Sequence, residues 1–174
     1  MKVTDKLLQI IKDGTSDWTL PGHFVYSFDK PQPVDPVRFL AAVSMCESSG
    51  GLHRVPRFEK GYAPGGTYYN QNLYNKWGAW ACCSYSSFQI MFATATELGY
   101  DSNPVELHLK DEIAIVWVRK YFEKRCFAKT TKFITIGNAG DCFNSGSFLD
   151  NIIPAKYISD LYILNLLLNI NMLI

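Results

Sequence analysis

The sequence predicts a mainly α-helical single domain, and three observations carry that expectation. Apolar residues recur at helical spacing in several separate stretches of the chain. Two of those stretches open on start signals: Asp35-Pro36, and Asn103-Pro104 with Glu106 at the capping-box position. No run shows a convincing apolar–polar alternation of the kind a half-buried strand requires. With 174 residues, 48% of them hydrophobic, the chain has room for one domain and enough apolar surface to fill its core.

The elements follow in order. Val3, Leu7, Leu8 and Ile11 mark a short amphipathic helix that stops at Asp13-Gly14. Residues 15–36 hold Gly22 and four prolines, so they read as an irregular arm lying on the domain. In the next helix Asp35 caps the free N–H groups and Pro36 suits the first position. Phe39, Val43 and Cys46 give it an apolar face, and Ser48-Ser49-Gly50-Gly51 ends it. Residues 50–85 are rich in Gly, Tyr and Asn and read as one long loop region, with Arg57-Phe58-Glu59 inside it. Ser86 to Leu98 reads as a helix closed by Gly99. A long helix is expected from Asn103 to about Arg125, with Ile113, Trp117, Tyr121 and also Ala114 on its buried side. A short helix over 133–141, a turn at Phe143-Asn144-Ser145-Gly146 and an apolar helix over 154–174 complete the chain.

Glu47 is the residue this pattern singles out. It lies eight residues after Phe39 and four after Val43, on the same face of a helix, in its last turn. Burial and the negative end of the helix dipole both disfavour a carboxylate anion. A carboxylic acid kept from ionising is what general acid catalysis needs. A Glu in a last helical turn is more often a solvated surface residue, so position alone does not assign that role.

Composition narrows the partners. The formal net charge of +1 supplies no general pull toward nucleic acid. Five cysteines without a CxxC pair, and three isolated histidines, lack zinc-ligand spacing, so no metal is expected. Buried free thiols suit a reducing compartment, with one disulfide left open as the alternative. The N-terminus reads as lacking a secretory leader. Ten Tyr, eleven Phe and four Trp are enough to fill a core and also to line a sugar-binding groove.

Four motifs in order then resemble the lysozyme-like lytic transglycosylases, especially those of bacteriophages. They are Glu47-Ser48-Ser49-Gly50; Tyr85-Ser86-Ser87-Phe88-Gln89-Ile90-Met91; Phe143-Asn144-Ser145-Gly146; and Tyr157. Arg57-Phe58-Glu59 is similar to an element of related phage muramidases. Ser86-Ser87 stands where the family carries Gly-Leu, and Phe143 where it carries Tyr. The resemblance spans roughly residues 36–162 and implies a goose-type lysozyme fold. It divides the chain into an arm (1–35), a catalytic domain (36–162) and an apolar tail (163–174).

The resemblance implies cleavage of the β-1,4 bond between N-acetylmuramic acid and N-acetylglucosamine in peptidoglycan, without a cofactor. Glu47 would be the acid and then the base, giving a 1,6-anhydro product. Ser48, Tyr85, Ser87, Phe88, Gln89, Asn144 and Tyr157 would contact substrate. Glu59 is the possible second carboxylate of a hydrolytic muramidase, or else an ion-pair partner of Arg57. Two other readings stay open: a non-catalytic glycan-binding virion component, and an assembly or membrane-associated protein working through its tail. The implied setting is a phage virion, or synthesis in a host cytoplasm with action on the periplasmic wall. The first turns of the last segment, with Tyr157 and Leu161, are expected to close the core, and the final residues to dock on a protein or membrane partner or to be the cut end of a longer chain.

Overall fold

The computed structural model describes residues 3–26 and 32–145. Within them the protein is mainly α-helical, with two small sheets. The stretch over 154–174 and Tyr157 lie outside the described residues.

Helix α1 (Asp5–Thr15) begins where the Thr4 side chain accepts a hydrogen bond from the Leu7 N–H. Leu7 and Ile11 bury its inner face, and α1 packs against both α2 and α6. Gly14 permits the close approach to α6: a Cβ there would lie 2.7 Å from Ile115 Cδ1. The arm after α1 is partly ordered by pairing. Strand β1 (Phe24–Val25) runs parallel to β5 (Ile134–Thr135), with Phe24 opposite Ile134. Val3, Trp18, Phe24 and Val34 belong to the same apolar core as α2, so the N-terminal segment is built into the domain.

Helix α2 (Pro36–Ser48) starts as its sequence predicts, with Asp35 accepting from the Arg38 N–H at 2.8 Å. Phe39 to Met45 are all buried, which makes α2 the central helix. It stops because Ser49 turns left-handed (φ 55°) and its N–H and that of Gly50 close back on Met45 and Ser44.

The next segment departs from the expected loop. Strand β2 (Arg57–Phe58), β3 (Cys83–Tyr85) and β4 (Ile90–Met91) form a three-stranded antiparallel sheet. Between β2 and β3 lie a 3-10 turn at Lys60–Tyr62, helix α3 (Gln71–Trp77) capped by Asn70, and a 3-10 turn at Gly78–Cys82. The helix expected to begin at Ser86 begins only at Phe92, as α4 (Phe92–Glu97). Ser86 (φ 72°) and Gln89 (φ 50°) are both left-handed, each at a cost on the order of 1–3 kcal/mol, so tertiary bonds must hold them.

The long helix expected after Asn103 is two helices. Helix α5 (Pro104–Leu109) has the predicted Asn103 cap, and α6 (Asp111–Tyr121) starts afresh after Lys110, whose backbone is extended (φ −116°, ψ 95°). The break directs Asp111 inward to Ser87 and Arg54, a demand invisible to local periodicity. Ala114, Ile115, Val118 and Tyr121 form the buried face of α6, while Ile113 and Trp117 are only partly buried. A π-helical turn (Phe122–Cys126) and a 3-10 turn (Phe127–Lys129) follow. Helix α7 (Ile136–Ser145) includes the Phe143-Asn144-Ser145 stretch that read as a turn. All five cysteines are free thiols.

Candidate active site

The end of α2, strands β2 and β4, the segment joining β2 to α3, helix α4 and the ends of α6 and α7 line a cleft of about 890 Å³. Glu47 reaches it from the last turn of α2, Glu59 from the end of β2, and Gln89 from the turn before β4. The Glu47 side chain is 3% exposed, against 36% for Glu59. Arg57 links the two: its Nε donates to Glu59 Oε1 at 2.5 Å, and its Nη1 lies 4.0 Å from Glu47 Oε2. The sequence placed Glu47 in apolar surroundings. The structure instead gives it a guanidinium within ion-pair reach, shared with a second carboxylate.

Arg57 is itself held in place. It pairs with Ser84 across the β2–β3 ladder. The Ser84 hydroxyl donates to Gln89 Oε1 at 2.8 Å, and Gln89 Nε2 donates to the carbonyls of Val55 (3.2 Å) and Ser86 (3.1 Å). Gln89 therefore lines the cleft, yet both N–H groups of its amide are engaged in bracing the turn against the strand. Its first task is structural.

Four other residues expected to touch substrate are in the interior. Ser48 donates to the Ser87 carbonyl at 2.6 Å and accepts from the Gly51 N–H, tying the end of α2 to the β3–β4 turn. Ser87 gives its N–H to Asp111 Oδ1 and its hydroxyl to Asp111 Oδ2, both at 2.9 Å. Tyr85 is wholly buried and donates its hydroxyl to the Trp80 carbonyl; burial pushes that hydroxyl's pKa well up. Phe88 is a core residue. Their motif builds the frame behind the cleft, because a buried hydroxyl or N–H must find a partner inside. Asn144 lies on α7; Tyr157 is outside the described residues.

The cleft is also lined by residues for which the sequence reading proposed no contact with substrate. Glu97 of α4 pairs with Arg125 at 2.8 Å, an exposed bridge between positions 28 apart that no local pattern could announce. Phe143 stacks on Phe122 (centroids 5.1 Å apart, 19° between planes) and meets Tyr121 edge-on. The Tyr121 hydroxyl donates to the Cys142 carbonyl, and burial raises its pKa. Tyr62 has its hydroxyl pKa raised chiefly by burial. Among the described residues no group of three or more His, Cys, Asp or Glu side chains is placed to hold a metal ion, and no helix is long and apolar enough to cross a membrane.

Mainly α-helical, with a buried carboxylate at a helix end facing a cleft beside a small sheet, is the class of structure defined here. Compared with known proteins, the chain matches no family model, no curated protein and no solved structure.

Proposed function

We propose that this protein cleaves the β-1,4 bond between N-acetylmuramic acid and N-acetylglucosamine in peptidoglycan, as a lytic transglycosylase with a lysozyme-like fold. The observation that carries the reading is Glu47: a side chain 3% exposed, at the C-terminal end of the central helix, with its carboxyl opening on the cleft. In this scheme Glu47 gives its proton to the leaving glycosidic oxygen. It then takes the proton of the sugar's 6-hydroxyl as that oxygen closes on C1, giving the 1,6-anhydro product without water.

Two backbone positions support the resemblance on which the reading rests. Ser86 stands where the family carries glycine, and its φ is 72°; Ser49, at a position where the family motif has Gly or Ser, has φ 55°. Both are in the left-handed region that glycine enters most readily. Ser86 and Ser87 are also buried away from the cleft, so their bulk takes no space from a glycan.

A second reading has its own observation. Glu59 lines the same cleft and shares Arg57 with Glu47, which suits a hydrolytic muramidase using two carboxylates. In either case the partner is the glycan strand of the cell wall, reached from a phage virion or from the host cytoplasm. The test is clearing of a purified cell-wall suspension, followed by the mass of the released muropeptides. Anhydro products support the lyase, products heavier by one water support the hydrolase, and no clearing overturns both.

A further inference from the structure

We propose that the exposed ring of Tyr68 is the floor of a sugar subsite, taking the apolar face of a neutral N-acetylhexosamine unit of the bound glycan. This rests on the peptidoglycan reading above and names a contact outside the four motifs that suggested it.

The aromatic wall of the cleft comes from the segment between β2 and α3, where Tyr62, Tyr68 and Tyr69 all face the cavity. Tyr68 is 61% exposed, so it contributes little to the core, and it lines the cleft. Its inner side is backed: Gly61 underlies it, where a Cβ would sit 3.4 Å from Tyr68 Cδ2, and the Tyr62 ring lies 5.3 Å away at 34°. Only the outer side remains for a ligand.

The segment is also built to keep the ring there. The Tyr68 N–H donates to the Gly61 carbonyl at 2.8 Å, and the Gly66 N–H to that of Ala63 at 2.8 Å. Where the segment doubles back, a Cβ at Gly66 would fall 2.3 Å from the Gly61 oxygen, so only glycine fits the crossing. A ring held before binding spares the ligand the entropy of ordering it.

The chemistry of the wall selects the ligand. The face of an aromatic ring is electron-rich and attracts the weakly positive C–H groups on the flat side of a pyranose. The ionic groups of the cleft already pair among themselves, Arg57 with Glu59 and Arg125 with Glu97. A neutral sugar ring fits this wall better than a charged group.

The test uses the full chain carrying Glu47→Gln, so that ligand is bound and not turned over, and titrates an N-acetylglucosamine hexamer by calorimetry. Adding Tyr68→Ala is expected to weaken binding about tenfold, while Tyr68→Trp or Tyr68→Phe retains it. Because Tyr68 is exposed, Tyr68→Ala should fold, which its circular dichroism checks. Unchanged affinity in Tyr68→Ala overturns the subsite and leaves the catalytic reading standing. A Glu47→Gln protein that sediments with cell walls but ignores the hexamer likewise overturns only the subsite. One that binds neither overturns the peptidoglycan reading as well.

Discussion

The side chains of Glu47 and Asp111 are 3% and 4% exposed, and each faces an arginine from the segment between α2 and β3. Asp111 sits in the interior, where Ser87 donates to both of its oxygens and Arg54 Nη1 stands 3.3 Å away. Glu47 opens on a cleft, and its arginine is drawn partly away by Glu59. Burial alone therefore does not distinguish the proposed acid from a strut. What separates them is access to a cavity.

Four experiments break or sharpen that contrast. The largest effect is expected from Glu47→Gln, nearly isosteric, which should reduce wall clearing by about a hundred- to ten-thousand-fold, the contribution of a general acid. Its thermal midpoint should stay near that of the wild type; a variant that clears walls at a rate close to wild type would remove Glu47 from the chemistry. Asp111→Ala should behave in the opposite way. It strands the Ser87 N–H and hydroxyl in the interior, a loss of about 1–3 kcal/mol in a urea titration. An unshifted midpoint would show that the α5–α6 break does not depend on this contact.

The arginines make a finer test. Arg54→Ala removes the cation that pairs with buried Asp111 and should lower stability more than Arg57→Ala does. The Arg57–Glu59 pair has side chains 50% and 36% exposed, so its loss should cost about 0–1 kcal/mol in stability. Its cost should instead appear in clearing activity, through the placement of Glu59 and Glu47. Equal melting shifts for the two variants would erase the distinction drawn here.

The smallest effect concerns His108, whose carbonyl accepts from Arg54 at 2.5 Å. Burial, and then the Arg54 charge, hold its imidazole below the ordinary value of 6.5. The unfolded chain binds the proton more tightly, so the stability tied to neutral His108 is present above pH 6.5 and is lost as pH falls through the lower folded value. His108→Gln should flatten the decline of the melting temperature on that acid side. An identical slope in the variant would place the titration elsewhere.

Local chemistry determined much of this protein. Asp35-Pro36 and Asn103-Pro104 start helices where their caps predict, because capping is settled within four residues. The 3.6-residue period put Glu47 on the inner face of α2, in its last turn, and that placement is the legible half of the candidate site. The sequence had no means of deciding the Ser86–Gln89 turn, the break at Lys110 or the role of Ser87. Each depends on a partner far along the chain: Ser87 on Asp111, Gln89 on Val55, Ser48 on Ser87. A serine or glutamine reads the same in sequence whether it faces sugar or interior. Only packing decides which, since inside the protein every donor must be met by an acceptor that the fold delivers.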